Sequence, residues 1–127
     1  MEYLNGEDIL VIHARIIDET GGLHGVRDIN LLASLIERPK SKFGGKEQFP
    51  GVFKKAATYL GSLAQYHVFV DGNKRAAIAS AARFLYLNGY NLSASNGGIE
   101  KFMLDVVVKK PDIADIANWL EKNSRKI

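Results

Sequence analysis

The chain has 127 residues, 46% of them hydrophobic and 24% charged, with a formal net charge of +3 and a pI of about 9.2. That balance suits one domain over residues 1–127, burying roughly two-thirds of its unfolded surface. No apolar run nears the roughly 20 residues of a membrane span, and the lack of cysteine excludes disulfides and thiolate metal sites. The mild basicity fits a nucleotide or nucleic-acid ligand, or only a solvated basic surface.

Met1–Asn5 has neither the basic start nor the apolar core of a signal peptide, so a cytoplasmic protein is expected. A first helix is expected from about Gly6 to Thr20, with Asn5 as cap and Ile9, Ile12 and Ile16 on one stripe. Gly21-Gly22 stops it. A second follows Asp28, with Leu31, Leu32, Leu35 and Ile36 as its apolar face, and ends before Pro39. Residues 40–49 break the helical rhythm, and Gly44-Gly45 is a two-glycine signature for a short β-hairpin. Pro50 and Gly51 open a third helix, about Val52 to Tyr66. A fourth runs from Asn73 to the Asn88-Gly89 stop; its Ala76, Ala77, Ala79, Ala81 and Ala82 would let neighbouring helices approach closely. Helices at about Gly98–Lys109 and Asp112–Asn123 complete an all-α bundle of about six helices, the last expected to bury Trp119 and Leu120.

Between the third and fourth helices lies His67-Val68-Phe69-Val70-Asp71-Gly72-Asn73-Lys74-Arg75. The first N–H groups of a helix are unpaired and the macrodipole adds positive charge, so Lys74 and Arg75 oppose helix stability by about 0.3–1 kcal/mol each at an exposed site. Two adjacent cations there make sense if an anion binds, with phosphate the obvious candidate. His67, a base suited to proton transfer near neutral pH, stands where the third helix ends; a histidine there also gains from the dipole alone. Asp71 is a turn residue or a Mg²⁺ ligand, since magnesium favours one carboxylate plus phosphate oxygens and water. Asn73 is a helix cap or a phosphate contact, and Gly72 a tight-turn residue or an opening for an anion to reach the backbone. Phe69 reads as a structural anchor. His13 and His24 lack comparable company and read as structural, and Arg27 and Asp28 as an ion pair or cap.

The segment His-x-Phe-x-Asp-Gly-Asn-Lys-Arg resembles the signature of the Fic/Doc superfamily, specifically its death-on-curing (Doc) toxin branch. Gly21-Gly22-Leu23-His24-Gly25-Val26-Arg27-Asp28, Leu31-Leu32, Glu37-Arg38-Pro39, Phe84-Leu85 and Asn88-Gly89-Tyr90 resemble the family pattern on either side, over roughly residues 4–92. The resemblance implies a compact Fic/Doc-like bundle. It implies His67 as general base, Asp71 as Mg²⁺ ligand, Gly72, Asn73 and the following N–H groups as anion pocket, and Arg75 as phosphate clamp. Enzymes of the superfamily that transfer AMP carry glycine where this chain has Lys74. Lysine there implies a nucleotide bound in reverse, offering its γ-phosphate.

The implied activity is therefore an NTP-dependent protein kinase, with elongation factor Tu as target and arrest of translation as outcome; Fic-type adenylyl transfer is the alternative. No Ser/Thr-x-x-x-Glu motif followed by Gly or Asn is present; the resemblance to the Doc branch implies a toxin–antitoxin module whose separate antitoxin supplies the inhibitory segment. The 40–49 hairpin resembles the superfamily's flap, which aligns the target; the alternative is an ordinary exposed loop. Val68 replaces the family's usual proline, and Ala76 stands where some Doc members have threonine. Two rivals of another class are a nucleic-acid-binding module using Lys40, Lys42, Lys46, Lys54 and Lys55, and a catalytically dead binding protein. Neither a membrane nor a direct nucleic-acid partner is expected.

Overall fold

A computed structural model describes all residues, Met1–Ile127. Six helices appear in order: α1 (Gly6–Thr20), α2 (Ile29–Leu35), α3 (Val52–Gln65), α4 (Asn73–Leu87), α5 (Asn96–Lys109) and α6 (Ile113–Lys122). Most starts are set by side-chain caps. Asn5 and Asp8 form a reciprocal capping box on α1, Asp28 accepts from the Asn30 and Leu31 N–H groups, and Ser95 and Asp112 cap α5 and α6. Helices α3 and α4 instead begin on Gly51 and Gly72 without a side-chain cap.

Helix α3 is the axis of the molecule. Every residue from Lys55 to Ala64 is buried, and the helix packs chiefly against α4 and α6. Ala76, Ala77 and Ala81 are the small, fully buried residues of α4 and permit that close packing, while Ala79 and Ala82 are only half-buried. The N-terminus is tied in by Tyr59 on α3, whose hydroxyl accepts from the Leu4 N–H at 3.0 Å and donates to the Leu4 carbonyl at 3.1 Å.

The hairpin predicted at 40–49 is present as β1 (Lys42–Phe43) and β2 (Lys46–Glu47), antiparallel, with both turn glycines at positive φ. Its base is pinned by Lys55, which is 1% exposed and reaches the Glu47 carboxylate at 3.0 Å and the Phe49 carbonyl at 2.6 Å. Lys55 therefore cannot belong to a basic surface patch. Two other expectations are corrected. Helix α5 begins at Asn96 rather than Gly98, because the cap is Ser95. Trp119 is half-buried and stacks on Phe102, with ring centroids 3.9 Å apart, instead of entering the core. A second antiparallel pair that the sequence did not suggest, β3 (Tyr90–Leu92) with β4 (Ser124–Lys126), returns the C-terminus to the end of α4.

Candidate active site

Residues 66–72 form a short loop between the fully packed α3 and α4, held from three sides. On one side runs the 21–28 segment, whose backbone pairs with the loop. The Arg27 and Asp28 N–H groups donate to the Val68 carbonyl at 2.7 and 3.1 Å, Val70 N–H donates to Gly25, and Val26 bridges Phe69. Glycine is needed where these segments touch: a Cβ on Gly22 would lie 2.7 Å from Asp71 Oδ2, and one on Gly25 would lie 3.0 Å from Val70 Cγ2. From below, Phe69 plugs into the core at 1% exposure, as the sequence implied. From the helix side, the Asn73 amide grips Phe69 on both backbone groups, accepting its N–H at 3.0 Å and donating to its carbonyl at 2.9 Å. The Asn73 side chain thus shapes the loop, and its backbone N–H has no acceptor.

This scaffold holds His67 exposed, with φ of +51°, a left-handed backbone that non-glycine residues adopt rarely and at a cost of roughly 1–2 kcal/mol. Arg27 Nε donates to the His67 carbonyl at 2.9 Å and fixes that conformation. Asp28 is a cap, as expected. Arg27, however, forms no ion pair with it and acts instead on the histidine's backbone.

Asp71 Oδ2 accepts the Leu23 N–H at 3.1 Å and Oδ1 the Gly72 N–H at 2.8 Å. These two bonds, helped by the Arg75 guanidinium 3.8 Å away, hold its carboxyl below the ordinary carboxylate range. An ionised carboxylate with further lone pairs at the cleft fits a magnesium ion that takes its other ligands from phosphate and water; no cluster of three acidic or histidine side chains exists that would form an all-protein cage.

Gly72 is left-handed (φ +76°) and caps α4 without a side chain. The N–H groups of Asn73, Lys74 and Arg75 consequently have no acceptor, and no acid stands in that first turn. Lys74 is exposed and has no ion-pair partner within 4 Å. Arg75 folds back to the end of α1, where Nη1 donates to the Thr20 hydroxyl and, at 2.9 Å, to the Gly21 carbonyl. Its Nε and Nη2 hydrogens are left without hydrogen-bond acceptors.

All six residues singled out in the sequence line one cleft of about 600 Å³: His67, Asp71, Gly72, Asn73, Lys74 and Arg75, with Ala64, Val70 and Val107 as its apolar wall. A slightly larger groove, about 680 Å³, lies between α1 and α4 over Val11, Ile12, Ala79 and Leu87. It holds none of the six residues singled out in the sequence.

His13, which the sequence reads as structural, has its partners near residue 70. It is 3% exposed, stacks on Phe69 and bonds the Asp71 carbonyl. His24 pairs with Asp18 at 2.7 Å on the exposed surface, away from this cleft.

Residues 3–85 match the model of the Fic/DOC family. This chain belongs to the Fic/Doc family. It is 39% identical over 118 residues to a protein named Toxin Doc from Mycolicibacterium smegmatis, covering 91% of this chain and 88% of that protein. It is also 35% identical over 89 residues to Protein kinase doc of Escherichia phage P1, covering 70% of each. Both relatives lie on the Doc side of the family, as the lysine at position 74 implied. The matched region contains the whole loop and the 21–28 segment, so the Fic/Doc signature coincides with the residues that line the cleft. No helix is long and apolar enough to cross a membrane.

Proposed function

We propose that this chain is a Doc-like toxin: a kinase that moves the γ-phosphoryl group of a nucleoside triphosphate onto a Ser or Thr hydroxyl of a protein. One observation carries the proposal. A single cleft joins His67 to three unpaired N–H groups and two cations at the start of α4. The name of the phage relative, Protein kinase doc, supports the kinase class.

Phosphoryl transfer asks a protein for positioning and charge neutralisation more than for covalent chemistry. The N–H groups of Asn73, Lys74 and Arg75 donate to phosphate oxygens at the positive end of α4, and the Lys74 ammonium and the free Arg75 donors neutralise the polyphosphate. His67, exposed at the cleft, takes the proton from the incoming hydroxyl, whose oxygen bonds to phosphorus as the bond to the nucleoside diphosphate breaks. Asp71 would hold Mg²⁺, which when bound neutralises phosphate charge. Elongation factor Tu is the proposed target and arrest of translation the outcome. An antitoxin would supply an inhibitory segment with a carboxylate beside Arg75, and the protein would act in the cytoplasm.

The test uses ATP labelled at the γ- or the α-phosphate, a bacterial lysate, purified elongation factor Tu and a His67→Ala control. Label from the γ position on a protein, lost in the control, is expected. Label from the α position would make the enzyme an adenylyltransferase, which an exposed lysine at position 74 with no ion-pair partner would permit by swinging aside. No label from either would leave a binding module.

A further inference from the structure

We propose that His13 is a positioning residue for the transfer reaction: its imidazole locks the Asp71–Gly72 peptide in the orientation that keeps the anion cradle formed. The proposal rests on the phosphate-binding role of the cleft given above.

His13 sits on α1, 58 residues from its partner in sequence. Its ring lies parallel to Phe69, with centroids 3.7 Å apart and planes 3° apart, and Nε2 stands 2.7 Å from the Asp71 carbonyl oxygen. A carbonyl oxygen only accepts, so Nε2 must carry the hydrogen. The other end of the same peptide, the Gly72 N–H, donates to Asp71 Oδ1 at 2.8 Å. One peptide is thus held at its carbonyl by α1 and at its N–H by the carboxylate it follows.

Torsion does not hold it. Gly72 has φ of +76°, and glycine reaches either sign of φ without a Cβ penalty. A peptide flip would set the Asp71 carbonyl oxygen against its own carboxylate and strip that carboxylate of a donor. It would also change the backbone conformation at Gly72 from which the free N–H groups of Asn73, Lys74 and Arg75 follow. The His13 bond opposes this from outside the loop, beside the local bond from Gly72 N–H to Asp71 Oδ1. Because the ring is buried beneath the loop it meets no substrate, so its part is to position and not to react.

The experiment compares His13→Phe, which keeps a flat ring on Phe69 and removes the donor, with His13→Gln, which restores an N–H at a similar reach. In the γ-label assay at saturating and limiting Mg·ATP, His13→Phe is expected to lower kcat/KM by about 100-fold with KM raised as well as kcat lowered. His13→Gln is expected to recover most of that loss at an equal melting temperature. Two readouts need no activity. Nitrogen NMR of the wild-type protein near neutral pH should show the Nε2–H tautomer of His13. Exchange of the Gly72 amide should be about 10-fold faster in His13→Phe than in wild type. An Nδ1–H tautomer with bare Nε2, or a folded His13→Phe with wild-type kcat/KM and Gly72 exchange, would overturn the proposal. If the wild-type protein transfers no phosphate, the kinase proposal fails by itself, and the tautomer and the Gly72 exchange rate still decide whether His13 holds the peptide.

Discussion

At the scale of single residues, the site is built from groups that neutralise one another only in part. Asp71 is anchored by two N–H bonds, yet keeps its charge at the mouth of a basic cradle. Because its folded pKa lies below the ordinary 3.8, the unfolded chain binds more protons in that window. The contribution of the carboxylate to the loop is therefore complete above 3.8 and lost as pH falls through the folded value. Asp71→Asn would turn an amide donor toward the N–H of Leu23 or Gly72. It should abolish Mg²⁺-dependent transfer while lowering the melting temperature only slightly, which a magnesium titration of activity beside a thermal melt would check. Gly22→Ala is more disruptive than its size suggests. With φ of +116° and a Cβ only 2.7 Å from Asp71 Oδ2, it should cost roughly 1–3 kcal/mol in urea unfolding and most of the activity. The nine-residue segment His67–Arg75 was legible because its chemistry is local. His13, Gly22 and Arg27 were not, because each takes its meaning from an atom far along the chain.

Among the elements, α1 and α2 began where the sequence put them, since Asn5 and Asp28 announce those starts; α4 also starts at Asn73, but its cap is Gly72 and not Asn73, whose amide is turned back onto Phe69. The hairpin was legible from Gly44-Gly45, but its anchor was not. Lys55 looks like one cation among several until the fold buries it against Glu47. That pair makes an asymmetric prediction. Glu47 is half-exposed and Lys55 is not, so Glu47→Ala leaves a buried ammonium with the Phe49 carbonyl as its remaining partner, at a cost of about 1–3 kcal/mol. Lys55→Met leaves Glu47 in water and removes the buried charge, so its cost should be smaller. Urea midpoints of the two variants should rank in that order, and the reverse order would mean that the hairpin base is solvated.

For the whole molecule, the fold hangs on α3, and the N-terminal segment is tied to it through Tyr59. Burial pushes that phenol up from 10.0 to about 12. The folded protein thus holds a proton that the unfolded chain gives up, so this stabilisation is complete below pH 10 and lost as pH rises through about 12. Tyr59→Phe should cost about 1–3 kcal/mol, since both Leu4 backbone groups lose their partner. It should also flatten the alkaline limb of a stability profile above pH 10. An architectural feature absent from the sequence reading, the β3–β4 pair, joins residues 90–92 to 124–126. Those strands are three residues each, mostly polar, and separated by two helices, so no periodicity could announce them.

The most direct measurement is an NMR titration of the nitrogen-15-labelled protein with Mg·ATP. The largest amide shifts should fall on Asp71, Gly72, Asn73, Lys74 and Arg75, with His67 moving in the same titration. Shifts confined to the groove between α1 and α4, around Val11, Ala79 and Leu87, or no shifts at all, would contradict a phosphate cradle at the start of α4.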